Sequence, residues 1–186
     1  MCTKDECVLV LGAEGSGKSL FIRRIKELAK FEDTNGAQLG EKCELSPEST
    51  IPTVGVDLIT VNLTKENAIN VREVGATMAS RWNSYIPESS CIIFVVDVAD
   101  LGSLSAAYSL LAEVLSSYDT IQSCRPFALA LNKLDIADST STKTVSNILR
   151  IDEIKNLFST FIVLSGSSID GSLAANALAW LRSVWT

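Results

Sequence analysis

The feature that most constrains the fold is a glycine-rich segment near the start of the chain, Gly12-Ala-Glu-Gly-Ser-Gly-Lys-Ser19. It matches the pattern G-x-x-x-x-G-K-[ST] and lies between a β-rich apolar run, Cys7 to Leu11, and a stretch whose apolar residues have helical spacing. Strand, glycine loop and helix in this order are typical of a loop whose backbone N–H groups surround phosphate oxygens at a helix N-terminus. We therefore expect this loop to bind the α- and β-phosphates of a nucleotide.

The side chains of the loop have separate predicted roles. Lys18 is expected to reach the β- and γ-phosphates, and the Ser19 hydroxyl to ligate Mg²⁺. With 16 Lys and Arg against 22 Asp and Glu, the net charge of −6 requires a local site for such an anion and disfavours a nucleic-acid partner. The residues predicted to bind nucleotide here are Glu14, Gly15, Ser16, Gly17, Lys18 and Ser19.

A second motif, Asn132-Lys133-Leu134-Asp135, follows a buried apolar run and predicts which base is bound. The Asp135 carboxylate accepts hydrogen bonds from guanine N1–H and the exocyclic amine, whereas adenine lacks this donor pair and leaves the carboxylate unpaired. Asn132, Lys133 and Asp135 therefore predict a guanine nucleotide. Ser165 and Gly166 complete the site more weakly, since the Gly166 amide is a candidate donor to guanine O6 but an ordinary serine-glycine turn fits equally well.

The remaining chain predicts one three-layer α/β domain over residues 1–186, with a six-stranded, mostly parallel sheet and one antiparallel edge hairpin. After the first strand, the predicted strands are Val54 to Leu63, Ala68 to Val74, Cys91 to Val96, Pro126 to Leu131 and Ser159 to Ser165. Helical apolar faces follow Leu20 to Leu28, Leu104 to Leu115, Val145 to Ile154 and Leu173 to Val184. Residues 31–53 are predicted to form a long exposed loop.

Composition removes several kinds of chemistry. The chain has no histidine, which excludes Ser-His-Asp and Cys-His nucleophilic sites and every zinc site that contains histidine. Its five cysteines show no CxxC spacing, and no signal segment precedes them, so we expect free thiols in the cytoplasm. No apolar run approaches the ~20 residues of a membrane span.

At this point the chain resembles the Ras superfamily and, within it, the Arf and Arf-like branch. The segment Ser49-Thr-Ile-Pro-Thr53-Val-Gly-Val56 is similar to the Arf switch I, and Arg72-Glu-Val-Gly-Ala76 stands where the family has its Asp-x-x-Gly switch II. Trp82 lies where Arf-like chains carry a tryptophan. The resemblance covers residues 6–185 and implies a Ras-like G domain of the P-loop NTPase class, with GTP or GDP and Mg²⁺ as cofactors.

The resemblance also assigns roles in the two switches. It implies that the Thr53 hydroxyl ligates Mg²⁺ and that its amide contacts the γ-phosphate, with Thr50 a rival by composition alone. Switch I would cover about residues 31–53 and switch II about 75–88, with Gly75 and Ala76 near the γ-phosphate. Glu73 replaces an aspartate that holds an Mg²⁺-bound water, so it is expected in the second shell of the metal.

Departures from the family pattern predict very slow GTP hydrolysis without an activating protein. Thr77 occupies the place of the glutamine that positions the attacking water, and it is too short to repeat that role. Ala76 replaces a glycine, where a Cβ disfavours a backbone flip, and acidic Glu14 disfavours entry of an arginine finger. No catalytic residue is assigned.

Three functions remain open from the sequence. The first is a GTP/GDP-dependent switch that binds effector, exchange and activating proteins, expected to be monomeric. The second is a pseudo-GTPase scaffold that holds GTP constitutively or binds nucleotide without switching. A phosphotransferase or nucleotide kinase is the third, and the guanine motif argues against it. The resemblance implies trafficking or ciliary roles, while the few residues before the first strand, Met1 to Asp5, predict no stable membrane anchor.

Overall fold

The sheet has six strands in the order β2-β3-β1-β4-β5-β6, in a computed structural model that describes residues 7–35, 45–46, 49–51, 53–119, 125–137, 141–157 and 160–185. The strands are β1 (Cys7–Gly12), β2 (Val56–Asn62), β3 (Ala68–Val74), β4 (Cys91–Asp97), β5 (Phe127–Asn132) and β6 (Phe161–Ser165). Strands β2 and β3 pair antiparallel at one edge, and the other neighbouring strands pair parallel. The predicted fold class is confirmed.

Helices cover both faces of this sheet. They are α1 (Lys18–Asn35), α2 (Trp82–Tyr85), α3 (Leu104–Asp119), α4 (Ser141–Ile148), α5 (Ile151–Leu157) and α6 (Ser172–Trp185), with 3₁₀ helices at Ala76–Arg81 and Ile86–Glu88 on either side of α2. Helices α1 and α6 pack together on one face, and α3 to α5 cover the other. Among the helices that the structure describes, none is long and apolar enough to cross a membrane.

The predicted loop over residues 31–53 is wrong at its start, because α1 continues to Asn35. Near this end of the helix, Glu32 forms an ion pair with Arg182 of α6, which packs beside α1. A contact of this kind stabilises helical turns beyond the point where the apolar periodicity fades. Residues 36–44, 47–48 and 52 of the same predicted loop lie outside the described residues.

The single helical face predicted from Val145 to Ile154 is also wrong, since two helices occupy this stretch. The chain breaks between α4 and α5 at Arg150, whose φ of 52° is left-handed and ends a helix. The break turns the buried residues Leu149 and Ile151 toward the same core. The spacing of the apolar residues does not reveal this break, because it is helical both before and after Arg150.

The parallel strands bring the sequence motifs to one edge of the sheet. The glycine loop follows β1, Gly75 follows β3, and the guanine motif begins at the last residue of β5. Open parallel sheets of this kind bind ligands beyond the carboxyl ends of their strands. The fold therefore brings motifs that are far apart in sequence into a single region.

Candidate nucleotide-binding site

The glycine loop between β1 and α1 is shaped by close contacts with its neighbours. Gly17 has a φ of 88°, and a Cβ at this position would lie 2.4 Å from Nδ2 of Asn132. A Cβ on Gly12 would lie 2.3 Å from the carbonyl oxygen of Val95. Both distances are too short for a side chain, so the two glycines are required by the approach of β4 and the guanine motif.

The Lys18 side chain folds back onto the backbone of the glycine loop. Its Nζ donates hydrogen bonds to the carbonyl oxygens of Gly12 at 2.9 Å and Ala13 at 2.7 Å, and the side chain is buried. Burial lowers the pKa of Lys18, while the negative charges of Glu73 and Glu14 act in the opposite direction. An ammonium group has three donors, so one remains for a phosphate oxygen. The ammonium group is therefore held in place by the loop itself.

Asn132 joins the loop to the rest of the guanine side. Its Nδ2 donates to the Ser16 carbonyl oxygen at 2.8 Å, and its Oδ1 accepts from the backbone N–H and the hydroxyl of Ser168, both at 2.9 Å. Asn132, Ser16 and Ser168 are each buried. The asparagine of the motif therefore acts as a strut that connects the β1–α1 and β6–α6 loops.

The other residues of the guanine motif are more accessible. Lys133 adopts a φ of 67° and forms an ion pair with Oδ2 of Asp97 at 2.6 Å, and Asp135 is exposed. The Gly166 N–H, the candidate donor to guanine O6, donates to the Leu131 carbonyl oxygen at 3.1 Å, and its contact with the base stays a prediction. That bond extends the β5–β6 pairing by one step, which sequence alone does not indicate.

Three oxygen atoms from distant parts of the chain meet beside the loop. The Ser19 hydroxyl lies 3.0 Å from the Thr53 hydroxyl, and both donate to Oε1 of Glu73, at 2.8 Å and 2.9 Å respectively. Thr53 and not its rival Thr50 makes these contacts. We refer to Ser19, Thr53 and Glu73 as the hydroxyl–carboxylate triangle.

The segment after β3 packs tightly at its first residue and loosely beyond it. The Gly75 N–H donates to the Gly55 carbonyl oxygen at 2.9 Å, and the Trp82 indole N–H donates to the Gly75 carbonyl oxygen at 3.3 Å. Ala76 begins a 3₁₀ helix, and Thr77 is exposed. A Cβ at position 76 is therefore accommodated by ordinary helical backbone in this state.

A cavity of about 430 Å³ opens above the loop and the triangle. One wall comes from the glycine loop and the start of α1, and the other from the predicted switch segments. Its lining residues are Glu14, Gly15, Gly17, Lys18, Ser19, Thr50, Ile51, Thr53, Val54, Glu73, Gly75, Ala76 and Thr77. The cavity holds the predicted phosphate and metal residues, whereas the guanine motif lies outside its lining.

Comparison with known proteins identifies the family. The model of the ADP-ribosylation factor family matches residues 1–185. The chain belongs to the ADP-ribosylation factor family. It is 31% identical over 185 residues to ADP-ribosylation factor-like protein 16 of Homo sapiens, and this alignment covers 97% of the present chain and 86% of the human protein. Identity is 28% over 183 residues to ADP-ribosylation factor-like protein 1 of Saccharomyces cerevisiae, with 97% and 88% covered.

A solved structure supports the fold of this Arf-family chain. The Arl6 BBS3 small GTPase from Trypanosoma brucei, with the bound nucleotide analogue GppNp, superposes with a TM-score of 0.74 and covers 96% of each chain at 21% identity. The predicted resemblance to the Arf branch is thus confirmed, and the predicted cofactors, GTP or GDP with Mg²⁺, are those of this family. Members of the family also interact with regulators and effectors.

The donor set of this Arf-family site suits magnesium. Mg²⁺ prefers oxygen ligands in an octahedral arrangement, and the triangle offers two hydroxyls and one buried carboxylate. Over the described residues, no group of three or more His, Cys, Asp or Glu side chains is placed to hold a metal ion. Binding here therefore depends on hydroxyl and phosphate oxygens beside the one carboxylate.

Sequence reasoning missed three residues that build the site. Ser168 completes the Asn132 strut, and Asp97 pairs with Lys133. Arg24 of α1 is buried at 1% exposure, and its Nε donates to the Ser168 carbonyl oxygen at 3.0 Å. The available signals were weak: a serine pair after β6, an aspartate that ends an apolar strand, and an arginine on the apolar side of an amphipathic helix.

Proposed function

We propose that this chain is a GTP/GDP-dependent molecular switch of the Arf-like type that binds effector proteins in its GTP state. The observation that carries the proposal is the composition of the cavity wall. Fixed residues of the glycine loop form one side, and Thr53 of switch I with Gly75, Ala76 and Thr77 of switch II form the other. A γ-phosphate in this cavity would contact both switch segments, and its loss would release them.

The base specificity of the proposed switch follows from Asp135. The residue is exposed in the loop that follows β5, three positions after the last residue of the strand. Guanine offers it the paired donors of N1–H and the exocyclic amine, and adenine offers no such pair. The chain would therefore bind GTP and GDP in preference to ATP and ADP.

Hydrolysis by the proposed switch is very slow without an activating protein. Thr77 lines the cavity at the position where the family carries the glutamine that orients the attacking water, and its side chain is one hydroxyl on a short stem. Glu14 also lines the cavity, and its carboxylate offers no hydrogen-bond donor to the negative charge that develops on the phosphate. Slow turnover would give a long-lived GTP state.

The proposed contact surface for effectors is the exposed apolar edge beside the cavity. Ile51 and Val54 are 87% and 89% exposed, and Leu58 on the edge strand β2 is 54% exposed. If GTP orders Thr53, the nearby residues Ile51 and Val54 would also take fixed positions. We propose that the chain acts as a monomer in the cytoplasm, in trafficking or ciliary pathways, and reaches membranes through its partners.

The test of this proposal is the identity and fate of the bound nucleotide. Purified protein is denatured, the released nucleotide is identified by chromatography, and GTP loaded onto a second sample is followed for hours with and without Mg²⁺. We expect a guanine nucleotide and slow conversion of GTP to GDP. Adenine nucleotide, or none after loading, would contradict the guanine assignment. GTP retained without conversion would favour the scaffold alternative, which Ala76 and Thr77 support.

A further inference from the structure

Glu73 carries a carboxylate whose surroundings are unusual for a charged group. Glu73 lies near the end of β3 and is 5% exposed. Its Oε1 accepts one hydrogen bond from Ser19 and one from Thr53. In the part of the chain that the structure describes, it takes part in no salt bridge. Both hydroxyl donors bind Oε1, and no ion pair among the described residues neutralises the negative charge of the carboxylate.

A buried charge of this kind is costly unless an opposite charge lies beside it. The Lys18 ammonium lines the same cavity, but it donates its hydrogen bonds to the carbonyl oxygens of Gly12 and Ala13. The cavity next to the triangle is open. A divalent cation in that space would contact the Glu73 carboxylate and both hydroxyls at once.

The dimensions of the triangle match one face of a magnesium coordination sphere. Its edges measure 2.8, 2.9 and 3.0 Å between oxygen atoms. In an octahedron with metal–oxygen distances of about 2.1 Å, neighbouring ligands are about 3.0 Å apart. All three oxygens can therefore bind one ion without moving apart, once the hydroxyl protons turn away from the carboxylate.

We propose that Glu73 binds Mg²⁺ directly through Oε1, as a third protein ligand beside Ser19 and Thr53. The proposal rests on the proposed function, because phosphate oxygens of GTP would supply further ligands to the ion. Glu73 thus replaces a metal-bound water instead of holding one. An aspartate at this position would be one methylene shorter and would leave room for that water.

Direct ligation has two consequences for the switch. An anionic ligand neutralises part of the charge of the ion, so Mg²⁺ is held more tightly and withdraws less charge from the phosphates. Tighter metal binding slows the nucleotide release that follows when a chelator removes Mg²⁺. Weaker polarisation adds to the slow hydrolysis expected from Thr77.

The test counts the waters on the metal. The protein is loaded with Mn²⁺ and a non-hydrolysable GTP analogue, and the manganese EPR spectrum is recorded in ordinary and in oxygen-17-enriched water. We expect the wild-type complex to hold one water fewer than the Glu73→Asp complex. The matched control is Asp57→Asn, since Asp57 is exposed and opposite Glu73 in the β2–β3 register, and it should keep the wild-type count.

A second readout is the Mg²⁺ concentration that gives half-maximal retention of a fluorescent GTP analogue. Glu73→Gln should raise it about tenfold or more, and Asp57→Asn should leave it unchanged. Equal water counts in wild type and Glu73→Asp, with nucleotide bound in both, would overturn the direct ligation alone. Failure of the wild type to bind guanine nucleotide in the presence of Mg²⁺ would overturn the proposed function and this inference with it.

Discussion

The two ends of the nucleotide site are built in different ways. On the guanine side, Asn132 is buried at 1% exposure and connects the Ser16 and Ser168 backbones by hydrogen bonds of 2.8 to 2.9 Å. On the switch side, Thr53 lies between Ile51 and Val54, whose side chains are almost fully exposed. Its hydroxyl is held only through the triangle with Ser19 and Glu73, among the side-chain contacts of the described residues.

This difference shows which parts of the site exist before a ligand binds. The guanine side satisfies its polar groups internally, so its geometry does not depend on nucleotide. The switch side depends on hydroxyl contacts that a metal ion would replace, and it has little apolar packing to oppose a change of conformation. A switch needs one rigid end to hold the ligand and one responsive end to report on it.

The largest expected effect comes from removing the cation at the centre of the loop. Lys18→Met keeps the apolar stem but removes the ammonium, and the affinity for GDP should fall about 100- to 1,000-fold because charge-assisted phosphate contacts are lost. Binding is measured by the fluorescence of a labelled GDP. Lys26→Met on the exposed side of α1 is the matched control and should bind like wild type. A Lys18→Met protein with wild-type affinity would remove the loop from the binding site.

The next effect tests the guanine side. Asp135→Asn replaces the carboxylate by an amide, so guanine donors lose their acceptor while the amide N–H can donate to a carbonyl at the same place on xanthine. Affinity for GDP should fall about 100-fold, and affinity for xanthosine diphosphate should rise. Competition between the two nucleotides gives the ratio directly. Asp152→Asn, an exposed aspartate of α5, should not change it. An unchanged ratio in Asp135→Asn would place the base elsewhere.

The sequence predicts the rigid end of the molecule better than the responsive one. Strand β3 agrees with its predicted bounds, and β1, β4 and β5 differ by a residue or so. Strands β1, β4 and β5 are almost entirely buried apolar runs, whereas β3 alternates buried apolar and less buried residues over most of its length. Both patterns are local signals. The motifs that follow β1 and β5, Gly12 to Ser19 and Asn132 to Asp135, can be placed equally well because the preceding strands are predicted closely. Their neighbours in space, Ser168 and Asp97, come from separate loops and have no local signature.

The switch side could not be predicted in the same detail. Residues 76–88 form short helical turns with no periodic apolar face, and they are held instead by Trp82, which donates to Gly75 and contacts the Phe94 ring at 6.2 Å between centroids. Near the end of α1, Glu32 pairs with Arg182 of α6. Both are tertiary contacts, which override local propensity. The role of Glu73 also depends on distances that a sequence does not contain.

A smaller effect tests the responsive end. Ala76→Gly combined with Thr77→Gln restores the residues that the family carries, so the glutamine can orient the attacking water, and hydrolysis should rise about tenfold or more. Single-turnover release of phosphate from preloaded GTP measures the rate. Ala76→Gly alone is the matched control. It should change the hydrolysis rate little, because it does not introduce the glutamine that orients water. A double variant no faster than wild type would show that positioning of water by residue 77 is not what limits the reaction.

The smallest effect concerns the connection between the two ends. Arg24, which donates to Ser168 on the guanine side, also pairs with Glu27 at 2.8 Å. Glu27 in turn accepts a hydrogen bond from Ser46, which lies in the predicted switch I segment. Burial acts to raise the pKa of Glu27, but the hydrogen bonds from Ser46 and Arg24 outweigh it and lower the pKa. A lowered pKa in the folded state means that ionised Glu27 stabilises the fold above its ordinary pKa, and that this contribution is lost as pH falls through the folded value.

Glu27→Gln should therefore lower the free energy of unfolding by about 1 kcal/mol at neutral pH, and the difference from wild type should shrink as the solution is acidified below the ordinary pKa of glutamate. Chemical denaturation at several pH values measures both quantities. The matched control is Glu153→Gln, because Glu153 pairs with Arg150 at the same sequence spacing but both side chains are exposed. Its effect should stay below about 0.5 kcal/mol, since exposed pairs contribute little. Equal effects in the two variants would mean that the contacts of Glu27 with Arg24 and Ser46 add no more stability than an exposed ion pair does.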